Sequence, residues 1–562
     1  MKTFISRRRL CVFLALVFLF FAAVIGSYAV VMLGDAPAEP APEITTQRGT
    51  IFDRNGKILA IQTTLYNVGI TKSDVRDVEV MATHLAPILE MSPSDISSRI
   101  TNAPSNFIFL KKKVSQTVCD ALRKTVRDYK LRGLTIDSVI SRTYPFNTLA
   151  AQLIGFMGDD GEGLSGIERS YQPSLAPRFR DTADHAVSHA VGYNIVLTID
   201  ADLQYRLEQI ARASIAQTQA ESMMILAADV DSGEILSYIS LPSPDLNTYP
   251  AATNAQRRDR PALDSYEPGS VFKIYSVAAF LELNGIRDAD RFLCDGVFDI
   301  SSTNGERVRI NCLDRHGWVT AREALEFSCN DAIAQMSQTV QSEAFLAKLR
   351  EFGFGSRTGI PLPGETAGLL KTTADRFWSA RSKPTIAMGQ EVGVSALQMV
   401  QAASAIANGG NRVNLSCVSR IVSADGNILW KNVPQTTPNV ISPGTAAQLL
   451  SYMETTAQVG TGYRASIGDV PIGVKTGTAQ MQDPETGGYS DTDFLSNCMA
   501  VFPADDPEII LYIVINKAQG ETYAGRIVAP VIAEASNVII DYLGLSRRNA
   551  PVVQHTGVLQ IP

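Results

Sequence analysis

The stretch from Leu10 to Leu33 is almost wholly apolar and carries no charge. As a helix it would span roughly 36 Å at about 1.5 Å per residue, enough to cross a bilayer core of about 30 Å with some tilt. Lys2, Arg7, Arg8 and Arg9 precede it, and Asp35, Glu39 and Glu43 follow. The bias of basic residues toward the cytoplasm therefore predicts a cytoplasmic tail at 1–9, a single transmembrane helix at 10–33 and everything after it outside the cytoplasm. A signal peptide cleaved after Ala36-Pro37-Ala38 is the alternative, although the apolar run exceeds the roughly 7–15 residues of a signal core. Residues 34–47 are rich in Pro, Ala and Glu and read as a stiff linker that holds the following domains off the membrane.

Beyond the linker the pattern changes twice. From 48 to 191, Asn55-Gly56 between apolar runs marks a hairpin, and positions from Val78 to Lys130 carry helical periodicity. This region holds no constellation of catalytic groups and reads as an elongated α+β pedestal, a docking or dimerisation-like module. From 192 to 545, a helix pattern covers Asp202 to Gln217. Met224–Val230 and Ile235–Ser240 read as strands joined by the turn Asp231-Ser-Gly-Glu234. Ser270 to Asn284 reads as a helix that follows Pro268-Gly269 and stops at Gly285. Helical patterns dominate from Ala321 to about Gly410. Three strands follow at Pro471–Met481, Asn497–Phe502 and Ile509–Asn516, then a helix at Ala529–Leu543. Strands at both ends and helices between them predict an α/β (α+β) fold. One antiparallel sheet is built from both ends, flanked by helices, with an all-helical subdomain inserted. A cleft between sheet and insertion is the natural site. Residues 546–562 form a C-terminal tail.

The length of 562 residues fits several domains, and 45% hydrophobic with 19% charged residues fits a folded chain. Net charge is −7, with no long basic run beyond the first nine residues, which argues against nucleic acid as a partner. Of the 7 cysteines, Cys11 lies at the membrane edge. Cys294 and Cys312 bracket a polar, hairpin-like stretch and could pair, although spacing cannot establish disulfide geometry. The histidines (His84, His185, His189, His316, His555) are scattered and read as surface or core residues. No His/Cys cluster shows metal-ligand spacing, so no metal site is expected.

Three short motifs carry chemistry: Ser270-Val-Phe-Lys273, Ser328-Cys-Asn330 and Lys475-Thr-Gly-Thr478. On a helix Lys273 shares a face with Ser270 and could serve as its base if burial and a second cation, Lys475, lower its pKa. Ser328 can pass a proton to a leaving amine, and the Asn330 amide can hold a peptide backbone. Cys329 between them reads as a small apolar core residue. On a strand, Lys475 and Gly477 share one face and Thr476 and Thr478 the other. Lys475 is offered to an anionic substrate end and Gly477 permits close backbone approach. The Ser270 and Thr478 N–H groups are candidate oxyanion donors. Each motif alone is weak; a lone Ser-x-x-Lys arises by chance roughly once or twice in a chain this long. Their order and context together specify a serine acyltransferase.

With these motifs the chain resembles the class B penicillin-binding proteins, membrane-anchored D,D-transpeptidases that cross-link peptidoglycan. The resemblance extends to Arg48-Gly-x-Ile51-x-Asp53-Arg-Asn-Gly56, Arg142-x-Tyr144-Pro145 and Gly166-Ile-Glu168 in the pedestal. In the second region it includes Leu197-Thr-Ile-Asp200 with Gln204, Tyr266-Glu-Pro-Gly-Ser270, Gly389-Gln390, Gln398-Met399 and Ala407-Asn-Gly-Gly410. It implies a penicillin-recognising fold in which Ser270 attacks the penultimate D-alanine carbonyl of a stem pentapeptide. Lys273 then takes the proton, Ser328 protonates the leaving amine, Asn330 holds the peptide, and Lys475, Thr476 and Thr478 hold the terminal carboxylate. It further implies trapping by β-lactams, no metal or organic cofactor, and residence in the bacterial cytoplasmic membrane. By the same analogy the chain pairs with a SEDS-family glycan polymerase and other division proteins. A compact pedestal favours a septal enzyme over an elongation enzyme. The middle motif is Ser-Cys-Asn rather than Ser-Asp-Asn. A β-lactamase would need a Glu-x-x-Leu-Asn, which the sequence lacks; Glu365, at roughly that distance, resembles a surface turn of the family. A non-enzymatic division scaffold is the other rival.

Overall fold

A computed structural model describes residues 7–33, 47–177, 191–301, 307–483 and 487–545. Most of the expected linker, the C-terminal tail, His185, His189 and His555 lie outside the described residues. The apolar N-terminal run forms a helix, Arg7–Leu33. Its window Cys11–Tyr28 has a mean hydropathy of 2.5 and packs against nothing in the protein, so it is long and apolar enough to cross a membrane.

The pedestal is organised by one long strand, Ile58–Thr71, paired antiparallel with Leu134–Thr143 along nearly its whole length and with Phe107–Val114 at its far end. Helices Val78–Leu89, Pro93–Thr101 and Gln116–Asp128 cover this sheet, each started by a side-chain cap from Asp77, Ser92 or Ser115. Val68, Ile70, Met81, Leu85, Ile96 and Leu122 form the core between them. The stretch expected to be helical throughout is thus interrupted by a strand at Phe107–Val114, whose Lys111-Lys-Lys113 segment masks its alternation.

The expected hairpin at Asn55-Gly56 is present, with Asp53 N–H donating to Lys57 O and Gly56 at φ 87°. Its first strand, Ile51–Phe52, also pairs parallel with Asn194–Leu197, which in turn pairs antiparallel with Val418–Val422. One seven-stranded sheet therefore runs from the pedestal into the second region. Asp53 and Asp200 lock this joint. The Asp53 carboxylate accepts from Asn55 N, Lys57 N and Ala201 N. Asp200 caps the helix Ala201–Thr218 and accepts from Asn55 Nδ2.

The second region is built on a five-stranded sheet in the order Gly473–Gln482, Tyr489–Phe502, Ile509–Asn516, Ser222–Asp229, Ile235–Leu241. Every neighbouring pair is antiparallel, so the sheet is assembled from both ends of the region as expected. Period-two alternation splits its central strand cleanly. Leu511, Ile513 and Ile515 face Ala201–Thr218 and Ala529–Leu543, while Ile510, Tyr512 and Val514 face the inserted helices. The insertion is dominated by helices, including Lys273–Glu282, Ala321–Glu326, Asn330–Ser337 and Ala396–Ala407. It is not all-helical, since it also contains short ribbons, one of them in the hairpin-like stretch between Cys294 and Cys312. Phe292–Cys294 pairs with Gly317–Val319, and Val297–Ser301 pairs with Arg307–Asn311.

Candidate active site

Ser270 lies in a short 3-10 turn, Gly269–Phe272, that runs directly into the helix Lys273–Glu282. Gly269 makes the turn at φ 57°, its N–H donating to Gly389 O. The turn is pressed against the edge strand Gly473–Gln482. A Cβ on Gly477 would lie 2.8 Å from both Pro268 O and Val271 N, so only glycine permits this approach. Beneath the contact, Asn497 Nδ2 donates to Pro268 O and Gly477 O, and its Oδ1 accepts from Tyr512 OH. Tyr512 in turn accepts from Tyr266. This buried polar network ties turn to strand, and no sequence motif pointed to Asn497 or Tyr512.

Ser328 and Cys329 form the break between helices Ala321–Glu326 and Asn330–Ser337. Ser328 adopts the left-handed region at φ 56°, a conformation of order 1–3 kcal/mol uphill for a residue with a Cβ and one that collects at functional sites. The turn places the Ser328 hydroxyl between two lysines. Lys475 Nζ donates to Ser328 Oγ at 3.1 Å and to Thr476 O at 2.9 Å. Lys273 Nζ donates to Ser328 O at 2.6 Å and Asn330 Oδ1 at 2.7 Å, with Ser328 Oγ at 3.4 Å. Both lysines are 0% exposed, and among the described residues neither has an ion-pair partner. Burial pushes the Lys273 ammonium down from the ordinary lysine value to about 8. Burial first, and the charge of Lys273 second, hold Lys475 well below its ordinary value.

Above this floor opens a cavity of about 720 Å³ lined by Ser270, Ser328, Asn330, Thr476, Gly477 and Thr478. The structure thus brings all eight sequence-chosen residues to one place, but on two levels: six line the cavity while Lys273 and Lys475 lie under it. Lys475 points at Ser328 rather than at an incoming anion. Among the described residues Lys273 donates to Ser328 and Asn330 and not to the Ser270 hydroxyl. Thr476 shares a hydrogen bond with Thr461, and Thr478 Oγ1 accepts from Ala524 N–H. The same cavity is walled by Tyr463, Arg464, Tyr523 and Arg526, which sequence reasoning missed. Of these arginines, Arg526 is ion-paired with Glu521, and both bring a cation to the cavity wall where Lys475 does not. They are separated from every motif, and only their presence near the last strands could have flagged them.

Three further expectations are corrected. Cys294 and Cys312 do not pair; all seven cysteines are free thiols. The absence of metal-ligand spacing did not prevent a cluster, because folding gathers Cys294, Cys312, His316 and Cys329 with ligand atoms within 4.8 Å of one another. Glu365 is not a surface residue but is buried, its carboxylate accepting from Thr358 N, Thr358 Oγ1 and Gly359 N.

The model of the penicillin binding protein transpeptidase domain matches residues 223–537, more than half of the chain, and that of the penicillin-binding protein dimerisation domain matches residues 43–178. The chain belongs to the class B penicillin-binding proteins. It is 28% identical to stage V sporulation protein D of Bacillus subtilis, over 89% of this chain and 79% of that one. It is 27% identical to the peptidoglycan D,D-transpeptidase FtsI of Escherichia coli K12, over 93% and 88%. Penicillin binding protein 3 of Mycobacterium tuberculosis, solved with ampicillin, shares the fold at a TM-score of 0.71 and 23% identity, covering 91% of this chain and 98% of that one. In this class B penicillin-binding protein, the sequence motifs of the pedestal acquire a physical meaning. Arg48 and Arg142 converge on the fully buried carboxylate of Glu168 at 2.6 Å each. Tyr144 OH donates to the same carboxylate and accepts from Met157 N–H.

Proposed function

We propose that this protein is a peptidoglycan D,D-transpeptidase that works through an acyl-enzyme on Ser270. The observation that carries the reading is the Ser328 hydroxyl held between two buried lysines without a carboxylate, directly beneath the cavity that Ser270 lines. A lysine with its pKa near 8 is partly neutral at physiological pH and can accept the Ser270 proton as that hydroxyl attacks the penultimate D-alanine carbonyl. Lys273 passes the proton through Ser328, poised by Lys475, to the leaving D-alanine amine. The N–H groups of Ser270 and Thr478 hold the oxyanion, and Asn330 holds the peptide. Thr476 and Thr478, with Lys475 behind them, receive the terminal carboxylate. An amine from a second stem peptide then releases the acyl group, and a β-lactam is trapped at the same serine.

In this reading residues 1–9 lie in the cytoplasm, 10–33 cross the bacterial cytoplasmic membrane, 34–47 are the spacer, 48–191 form the pedestal and 192–545 act on the wall outside. Similarity to FtsI supports a septal role, and the helix with the pedestal is the surface offered to a SEDS-family glycan polymerase and other division proteins. Exchange of Leu10–Leu33 for an unrelated helix abolishes co-purification with that polymerase if the helix makes the contact. The decisive test is labelling of membranes with a fluorescent penicillin. Ser270→Ala removes the labelled band while the protein level is unchanged. A drug adduct found by mass spectrometry on another residue overturns the mechanism, and growth of a Ser270→Ala strain where the gene deletion is lethal favours the scaffold role.

A further inference from the structure

Four soft ligand atoms meet beside the candidate active site, brought from separate segments. Cys294 ends the strand Phe292–Cys294, and its register partner is Gly317, which places His316 next to it. Cys312 follows the strand Arg307–Asn311, its N–H closing onto Gly296 O. Cys329 begins the helix Asn330–Ser337. The imidazole of His316 is held flat against the ring of Phe327, at 5.4 Å and an interplanar angle of 4°. Asp295 N–H donates to Asp331, and Gln335 donates to Leu293 O, so the ribbon is pinned to the helix that Cys329 starts.

The separations have a definite meaning. Cys312 Sγ lies 3.7 Å from Cys329 Sγ, and His316 Nδ1 lies 3.4 Å from Cys294 Sγ and 3.7 Å from Cys312 Sγ. A tetrahedral zinc ion with Zn–S of about 2.3 Å and Zn–N of about 2.05 Å requires edges of roughly 3.8 Å between sulfurs and roughly 3.5 Å between sulfur and nitrogen. A disulfide requires sulfurs about 2.05 Å apart, and no pair here approaches that. Three thiols with one imidazole favour zinc over calcium or magnesium, which take oxygen ligands.

We propose that Cys294, Cys312, His316 and Cys329 bind one zinc ion in a closed, structural Cys3His site. Binding releases the three thiol protons to solvent, and the assembled centre carries one negative charge. All four positions are filled by protein, so the ion activates no water. Its role is to hold Cys329, and through it the neighbours Ser328 and Asn330, in the strained turn that sets Ser328 between the lysines. This second statement rests on the acylation reading; the metal site itself does not.

Metal analysis of the full-length protein, purified in detergent with any histidine tag removed, tests the site. One zinc per chain is expected, falling at least fivefold in Cys312→Ser and His316→Ala and unchanged in Cys417→Ser. Should a variant fail to fold, the native chain suffices. Alkylation with iodoacetamide and peptide mapping should find Cys294, Cys312 and Cys329 protected until a chelator is added. Cobalt(II) replacement should give the intense visible bands of tetrahedral thiolate coordination. Zinc content below one-tenth per chain after zinc supplementation, retention of zinc by both variants, or a Cys312–Cys329 disulfide in the mass spectrum overturns the proposal. For the positioning role, chelation should slow labelling by fluorescent penicillin at least tenfold at an unchanged half-saturating concentration, with recovery on adding zinc. An unchanged rate with zinc gone removes the positioning role and leaves the metal site standing.

Discussion

The pedestal and the catalytic region each bury two cations at the heart of their sequence motifs, and they treat them oppositely. Arg48 and Arg142 share the carboxylate of Glu168 through charge-assisted hydrogen bonds, and further donors of the pair reach Gly161 O, Gln172, Glu168 O and Gly49 O. Lys273 and Lys475 share only a serine hydroxyl, carbonyls and an amide. Arginine stays charged, and with a carboxylate it makes a joint. Lysine without a carboxylate yields its proton more readily under burial, and on the proposed mechanism that fits it for chemistry. On the proposed mechanism, the counterion is what separates buried charge that holds the fold from buried charge that reacts.

The largest effect expected is from Lys273→Met. The second-order rate of acylation by a fluorescent penicillin should fall by about 100- to 10,000-fold, the range of a lost general base. The melting temperature should hold or rise, because an unpaired buried ammonium is replaced by an apolar chain of similar length. A marked loss of stability would show that this lysine is structural and erase the contrast.

Glu168→Gln should do the reverse. Two arginines then stay buried without an anion, and unfolding should become easier by about 3–5 kcal/mol, seen as a lower denaturant midpoint and early proteolysis of the pedestal. Acylation by the protein that remains folded should be nearly unchanged.

The pH dependence of stability sharpens the same point. The folded-state pKa of Lys273 is near 8 against 10.5 for the ordinary residue. The unfolded chain therefore binds more protons between these values, and stability should increase as pH rises through that window. The gain is about 3 kcal/mol at about 1.36 kcal/mol per unit, in full effect only above the unfolded value. Denaturant titrations from pH 7 to 10.5 should show a larger rise in the native protein than in Lys273→Met, where only the buried Lys475 still contributes. The acylation rate should climb with a midpoint near pH 8. Tyr144→Phe gives the smallest change. It leaves the Met157 N–H without its acceptor and removes a long hydrogen bond of 3.4 Å to Glu168, so about 1–2 kcal/mol should be lost in the same titration.

Local pattern made the helices and the sheet strands legible. Ile509–Asn516 is a strand with the bounds read from the sequence, and the Leu10–Leu33 run lies within one uninterrupted helix. The catalytic trio was legible because its residue types are chemically unusual at those spacings. Long-range convergence was not. The parallel pairing of Ile51 with Ile195 turns two separate regions into one sheet, and nothing in either segment names the other. The thiols of Cys294, Cys312 and Cys329 come from different segments, and only folding brings them to His316. Glu365 looked like a surface residue because turn sequences are polar, whereas its carboxylate is consumed by the turn it closes.

The sheet under the cavity has a consequence for biogenesis. Its strands Ser222–Asp229 and Ile235–Leu241 find their neighbour Ile509–Asn516 only after the whole stretch between them has emerged. A chain made from its N-terminus can finish most of the pedestal early, but the cavity that Ser270 lines is incomplete until the last strands arrive. The N-terminal helix and the pedestal can therefore be in place before the cavity exists, so the order of synthesis itself delays the onset of activity.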